Sequence, residues 1–216
     1  MKLSLVLPIY NESPRLKHGL KQALAYLNKQ TYSWEIIIVD DGSTDSSTAS
    51  INYPQVYLLH THKNFGKGHA IRVGVAAATG DYIFFSDIDF SVPITSLPQF
   101  LSALKDSDLS IGSRRLNSSS IVEHQPKIRE LLGQAFTKIS NLFLGLNHTD
   151  LTCGFKGFRH QITINLFRNQ RLNGWAFDSE ILFLAKKFNY HVTEVPVIWH
   201  NDPRTKVNLK KDLLLS

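Results

Sequence analysis

The chain of 216 residues, 43% of them hydrophobic, is long enough for one well-buried α/β domain and short for two. Lysine and arginine outnumber aspartate and glutamate by 24 to 18, a formal charge of +6, which favours anionic partners such as phosphates, anionic lipid or nucleic acid. The single cysteine, Cys153, excludes an internal disulfide and a multi-cysteine zinc site, and it agrees with a reducing compartment, by default the cytosol.

In chain order, Leu3 to Ile9 reads as a strand and Pro14 to Asn28 as a helix opened by Ser13-Pro14, a cap residue followed by proline at the first helical position. Glu35 to Val39 is a second strand, Asp45 to Ser50 a short helix and Val56 to His60 a third strand. The glycine-flanked turn Asn64-Phe65-Gly66-Lys67-Gly68 leads into a helix over Lys67 to Ala78, and Tyr82 to Phe85 is a fourth strand. Strands alternating with helices predict a parallel sheet. Beyond it, Asp108 to Ser113 reads as a strand, Lys127 to Leu144 as an amphipathic helix and Ala176 to Lys187 as a further helix. His191 to Trp199 reads as a closing strand, with Pro196 marking an edge or bulge. Asn117-Ser118-Ser119-Ser120 is the most loop-like stretch. No window approaches the roughly 18 to 20 apolar residues of a spanning helix, and Met1-Lys2-Leu3 leads straight into a strand, so a soluble or membrane-peripheral chain is expected.

Three polar motifs end the apolar strands. Pro8-Ile9-Tyr10-Asn11-Glu12 follows the first, Asp40-Asp41-Gly42-Ser43 the second, and Asp87-Ile88-Asp89 the fourth. In parallel sheets ligands collect beyond the carboxyl ends of the strands, and two acidic side chains at a strand end suit a hard divalent cation, which prefers oxygen ligands. Lys67, between two glycines at a helix start, suits a diphosphate, with backbone N–H groups and an ammonium facing it. The scattered histidines and lone cysteine give no zinc cluster.

The ordered set PxYNE, VDDGSTD, NFGKGHA, DxD, GSR, DxxCGFK and WAFD, running from Leu5 to about Lys206, resembles the family 2 inverting glycosyltransferases with the GT-A fold. Within them it is most similar to the polyprenyl-phosphate (dolichyl-phosphate) β-glucosyltransferase branch, on Ser86 to Pro93, Asp150 to Lys156 and Trp175 to Asp178. Two departures are Ile88 in place of a small residue between the aspartates, and an end at Leu213-Leu214-Leu215-Ser216 where relatives carry a membrane segment or longer basic tail.

The resemblance implies a single Rossmann-like α/β domain, a mostly parallel central sheet flanked by helices, with a nucleotide-binding half over about 1–112 and an acceptor-binding half over about 113–216. It implies transfer of a hexose, glucose from UDP-glucose, onto a polyprenyl phosphate at the inner face of a membrane, aided by Mg²⁺ or Mn²⁺. Pro8, Tyr10, Asn11 and Glu12 would wrap the base and ribose. Asp40 would accept from the uracil imide, while Asp41 either assists or only shapes the turn. Asp89 would bind the metal directly, and Asp87 the ribose or a metal-bound water. Arg114 and Arg129, with Arg115 as an alternative to Arg114, match positions that hold the acceptor phosphate. Asp178 stands where relatives acting on hydroxyls keep a general base. Arg204 and Lys206 lie where relatives close a segment over the donor. Trp175 is a candidate platform for sugar or lipid, Trp199 a core aromatic, and the apolar stripe Ile128, Leu131, Leu132, Phe136, Ile139, Phe143 a core-facing helix side, with Phe143-Leu144-Gly145-Leu146 dipping into a bilayer as the alternative. Open alternatives are a hydroxyl acceptor, GDP-mannose as donor, and a non-catalytic nucleotide-sugar module. A nucleic-acid partner is not expected, because the basic residues are dispersed without interleaved aromatics.

Overall fold

The computed structural model describes residues 1–45, 48 and 51–202. Arg204, Lys206 and most of the helix expected at Asp45 to Ser50 lie outside the described residues. The strands β1 (Lys2–Ile9), β2 (Ser33–Asp40), β3 (Val56–His60), β4 (Tyr82–Phe85), β5 (Leu109–Ser113), β7 (Lys156–Arg159) and β8 (Val192–Pro196) form one sheet in the order β3-β2-β1-β4-β7-β5-β8. All its pairings are parallel except those of β7, which runs antiparallel to both β4 and β5. A second, two-stranded sheet joins β6 (Ser120–Glu123) to β9 (Ile198–His200).

Both faces of the central strands are dry, as a parallel sheet between helix layers requires. Leu3, Leu5 and Leu7 of β1 pack with Leu16, Leu20 and Leu27 of α1 (Ser13–Leu27) and Leu97 and Phe100 of α3 (Leu97–Ala103). On the other face Val6, Ile37 and Phe85 meet α2 (Lys67–Ala77), α5 (His160–Asn169) and α6 (Phe177–Lys187) through Ile71, Val75, Leu166 and Ile181. The register pairs Ile9 with Asp40 and Asp40 with His60, while Val6 pairs with Phe85. The segments that follow Ile9, Asp40 and Phe85 therefore leave the sheet at one edge.

Glycine permits one close contact behind that edge. Gly19, in the middle of α1, lies against the Ile88 carbonyl so tightly that a Cβ would sit 1.9 Å from its oxygen. The turn carrying Asp87 and Asp89 thus rests directly on helix backbone, which also explains how the bulky Ile88 is accommodated: its side chain is buried in the core below.

Two sequence expectations change. His191 to Trp199 is not one strand: β8 ends at Pro196, on the edge of the large sheet, and the chain crosses to the small sheet as β9. The apolar stripe of α4 (Lys127–Leu144) does not face a core, for Ile128, Leu131, Leu132, Ile139, Leu142 and Phe143 are all exposed, Phe143 by 80%, and only Thr137 of this helix is buried. Helical spacing shows that these residues share a side and says nothing about what covers it. Among the described residues no helix is long and apolar enough to cross a membrane.

Gly19→Ala, which in an ordinary helix interior would stabilise, is expected here to cost about 1–3 kcal/mol through overpacking against Ile88. Thermal melts of the two proteins check this, and a raised melting temperature would contradict the contact.

Candidate functional site

The chain turns sharply after β4. The Phe90 amide donates to the Asp87 carbonyl at 3.1 Å, and Phe90 itself adopts a left-handed φ of 47°, which costs energy for a side chain of this size and persists where surroundings impose it. The turn sets both aspartates on the edge, each against a cation of the chain. Asp87 lies 2.6 Å from the Lys67 ammonium, itself 5.1 Å from the ring of half-exposed Trp175. Asp89 accepts from the Ser91 amide at 3.0 Å and from Arg15 Nη1 at 3.2 Å. Arg15 grips Glu12 with Nε and Nη2 at 2.6 and 2.5 Å. Behind Asp87, Gly154 leaves no room for a side chain, since a Cβ there would lie 2.1 Å from the Asp87 carboxylate.

The loops next to the turn are tied together by their own polar groups. Asn11, at φ 54°, accepts on Oδ1 from the amides of Thr44 and Asp45 at 2.8 and 3.2 Å, and its own amide donates to Ser43 Oγ. Asp40 accepts from the Ser43 amide at 2.9 Å and lies 3.1 Å from His60 Nδ1. Pro8 sits within β1, paired with Val39, and Tyr10 is exposed at the strand end. Asp41 is turned toward the glycine turn: it accepts from the Phe65 and Gly66 amides at 3.0 and 2.7 Å and from Thr61 Oγ1 at 3.0 Å.

The expectation that backbone N–H groups at the start of α2 face a diphosphate is corrected by this geometry. The Gly68 and His69 amides donate to the Asn173 carbonyl at 2.7 and 3.3 Å, and those of Phe65 and Gly66 are taken by Asp41. The orphan donors of a helix start need partners, and the chain itself supplies them for these four amides, with the Lys67 side chain as the cation at this point.

On the other side of Asp87, Arg114 forms a fork with the buried Asp150, Nε to Oδ2 at 2.7 Å and Nη2 to Oδ1 at 2.9 Å, and also donates to Thr152 Oγ1. The fork and the neighbouring Arg115 push the Asp150 carboxyl down to about 2 against the cost of burial. Arg115 donates to Thr137 Oγ1 of α4 and to the Thr149 carbonyl, both at 2.9 Å. Arg129, Gly133 and Thr137 are four residues apart and share one side of α4, so Arg129, half-buried in the first helical turn, lies on the side that Arg115 approaches.

Asp178, in the first turn of α6, is 3% exposed and sits 2.5 Å from the ammonium of the fully buried Lys156. Lys156 also donates to the Leu151 and Cys153 carbonyls at 3.0 and 2.7 Å. Burial pushes the Asp178 carboxyl up, with Lys156 and Lys67 pulling the other way. Burial, and then the proximity of Asp87, likewise raises Asp89. Of the cations that organise these acids, Arg15 is not singled out in the sequence, and Lys156 is read only as the end of the DxxCGFK motif, with no partner assigned. The available signals were the Glu12 to Arg15 spacing across a helix start and the lysine closing CGFK.

The residues fit a divalent cation. Glu12, Asp87, Asp89, Asp178 and Asp202 are five formal negative charges against three positive ones on Arg15, Lys67 and Lys156, an excess of two. No three histidine, cysteine or acidic side chains converge as a ready-made metal site among the described residues. A small hard cation held by one or two carboxylates takes its remaining ligands from substrate phosphate and water.

The family described as glycosyl transferase family 2 matches residues 4–167. The chain belongs to this family. A dolichyl-phosphate beta-glucosyltransferase of Saccharomyces cerevisiae is 32% identical over 97% of this chain and 70% of its own length. Relatives with the same activity in their names, from Trichomonas vaginalis and Homo sapiens, are 31% and 30% identical over 94% and 92% of this chain. The family 2 chain spans about two thirds of the length of these relatives, 65% of the Trichomonas protein and 67% of the human one. Among solved structures, glucosyl-3-phosphoglycerate synthase of Mycobacterium tuberculosis with Mn²⁺, UDP-glucose and phosphoglyceric acid superposes with a TM-score of 0.68 at 16% identity, over 97% of this chain and 74% of that one. A Pyrobaculum calidifontis mannosyltransferase with GDP-mannose and Mn²⁺ gives 0.63 at 18% identity, over 94% and 57%. These likenesses establish the glycosyltransferase GT-A fold for the family 2 chain.

Because the folded pKa of Asp150 lies below the ordinary carboxylate value of about 3.9, its contribution to stability is complete above that pH and is lost as pH falls toward about 2. Asp150→Asn should therefore melt lower at neutral pH and lose less on acidification between about pH 4 and 2 than the parent protein. Parallel melting curves with a constant offset across that range would remove the assignment.

Proposed function

We propose that the chain catalyses inverting transfer of glucose from UDP-glucose to the phosphate of a polyprenol such as dolichol. The names of its relatives support the donor sugar and the lipid-phosphate acceptor. The structural observation that carries the acceptor assignment is the burial of Asp178 against Lys156. A hydroxyl acceptor must lose its proton as it attacks, and a positioned general base is worth about 10² to 10⁴ in rate. Asp178, closed off and ion-paired, is poorly placed to serve one. A phosphate monoester, with a second pKa near about 6, already carries a deprotonated oxygen at neutral pH.

In this reading a phosphate oxygen of the lipid attacks the anomeric carbon from the face opposite the leaving group. The new C–O bond forms as the bond to UDP breaks, and UDP leaves with both electrons. Asp40, Asn11, Tyr10, Pro8 and Glu12 form the nucleoside end, with Asp41 holding the glycine turn beside it. Lys67 faces the diphosphate and Trp175 flanks the sugar. Asp89, with Asp87, would hold Mg²⁺ or Mn²⁺, which supplies positive charge to the diphosphate as it departs. Arg129 and the Arg114/Arg115 pair form the basic wall for the acceptor phosphate.

The exposed apolar side of α4 supports the lipid half of the proposal, because Arg129 stands on the same helix. Seating Ile128, Leu131, Leu142 and Phe143 in the headgroup boundary would bring a lipid phosphate to that arginine without a spanning helix. Peripheral binding to the face of a membrane open to nucleotide sugars follows.

Incubating the protein with labelled UDP-glucose and dolichyl phosphate should move label into the organic phase, in a cation-dependent manner. Label transferred only from GDP-mannose, or only to water-soluble hydroxyl acceptors, would overturn the assignment. Arg129→Ala should raise the KM for lipid phosphate by about tenfold or more, the worth of one charge-assisted hydrogen bond, and leave that for UDP-glucose near the parent value. It is a cleaner probe than Arg114→Ala, which would strand the buried Asp150. Equal losses for both substrates would place Arg129 elsewhere.

A further inference from the structure

Arg15 occupies an unfavourable place for a cation. It lies in the first turn of α1, where the helix dipole repels positive charge, and its side chain is only 9% exposed. A buried guanidinium is tolerated where its donors are paired, and these pairs reach three separate segments. Nε and Nη2 hold Glu12, which follows β1. Nη1 donates to Asp89 beyond β4 at 3.2 Å and lies 3.9 Å from Asp202 beyond β9. One rigid planar group thus sets the spacing between a carboxylate assigned to the nucleoside and the carboxylate assigned to the cation.

We propose that Arg15 is a positioning residue that orients Asp89 for the divalent cation and couples cation binding to nucleotide binding through Glu12. The inference rests on the reading of Asp89 and Glu12 under Proposed function. The Ser91 amide fixes one oxygen of Asp89 and Arg15 the other, so the carboxylate is held in one rotamer before a cation arrives. Without Arg15, Asp89 is free to turn away from Asp87, and Glu12 loses both of its fork contacts. A lysine keeps the charge and loses the fork, since a single ammonium cannot present two parallel donors to Glu12 and a third to Asp89.

The effect of charge alone has the opposite sign. Arg15 repels an incoming cation, so if it served only as a stand-in counter-ion for Asp89, its removal would tighten metal binding. Outer-shell groups that orient a ligand typically contribute 10- to 100-fold in metal affinity, and three-point burial of Arg15 argues that orientation outweighs repulsion.

The test is calorimetric titration of UDP into the full chain at a series of Mn²⁺ concentrations, for the parent, Arg15→Met and Arg15→Lys, with melting temperatures taken alongside. The midpoint of the Mn²⁺ dependence reports the cation and its plateau reports the nucleotide. Both variants should shift the midpoint up by about 10- to 100-fold, with weaker UDP binding at the plateau. An unchanged or lowered midpoint in folded Arg15→Lys would overturn the inference, and that variant decides the matter if Arg15→Met does not fold. A parent protein whose UDP binding ignores Mn²⁺ would instead overturn the metal reading of Asp89, and this inference with it.

Discussion

Five carboxylates gathered at one edge of a dry sheet repel one another, and the folded chain tolerates them because Arg15, Lys67 and Lys156 stand between them. Each cation is itself largely buried and would be costly alone. Burial works against the Lys67 ammonium, yet Asp87, Asp178 and Asp89 outweigh it and hold its pKa above the ordinary lysine value. The arrangement is a chain of mutual dependence: Lys156 balances Asp178, Lys67 balances Asp87, and Arg15 balances Glu12 and Asp89. What remains is an excess of negative charge at the turn; burial first, and then the charge of Asp87, raises the Asp89 carboxyl there. Under the proposed reading a nucleotide diphosphate would add further negative charge there, and a divalent cation would let substrate and site share the space.

The same accounting of polar groups explains why the neighbouring loops are well defined. Asp41 and the Asn173 carbonyl between them satisfy four amides around the start of α2. Arg72, from the same helix, donates to the Gln170 carbonyl and Asn173 Oδ1, both at 3.1 Å. The loop leading to Trp175 and Asp178 is thereby fastened to the helix that presents Lys67. These bonds tie the Lys67 helix of the first half of the chain to the loop of the second half that carries Trp175 and Asp178, and under the proposed reading they would fix distances across the donor site.

Much of the scaffold was legible because its strands are continuous apolar runs followed by acidic or amide residues. β3, β4 and α4 have the ends that the pattern implied, and β1, β2, α1 and α2 differ by one or two residues. β7 was missed for a physical reason: Lys156-Gly157-Phe158-Arg159 carries two cations in four residues, and its burial depends on Asp178, which lies 22 positions away. α5 was missed as well, although Ile162, Leu166 and Phe167 mark its buried side. Residue types marked Glu12, Asp87, Asp89 and Asp178 as candidates, but the partner that orients each acid is set by tertiary contact. The reach of Arg15 from α1 to Asp89, 74 residues on, has no signature in local sequence. The same limit produced the misreading of α4, where periodicity was right and the medium facing it was wrong.

That exposed helix bears on how a site built for charge could meet a lipid. Six large apolar side chains displayed by one element of α4 would be a liability in a protein that only meets water, since contiguous apolar surface on a soluble chain marks an interaction site or an aggregation hazard. The helix is held to the body of the protein at its polar side, through Arg115 on Thr137 and through Asn141, whose Nδ2 donates to the His148 carbonyl at 2.7 Å. It therefore presents its apolar side outward without loosening the loop that carries Asp150. Under the proposed reading the long hydrocarbon of the acceptor need not enter the protein. The lipid stays in its own medium, with only its phosphate drawn toward the arginines, so the charged edge of the sheet remains free of apolar groups that would strip its carboxylates of compensation. A small water-soluble acceptor would give no use to such a surface, so under the proposed reading α4 adds to the burial of Asp178 against Lys156 a second feature that favours a lipid-borne phosphate.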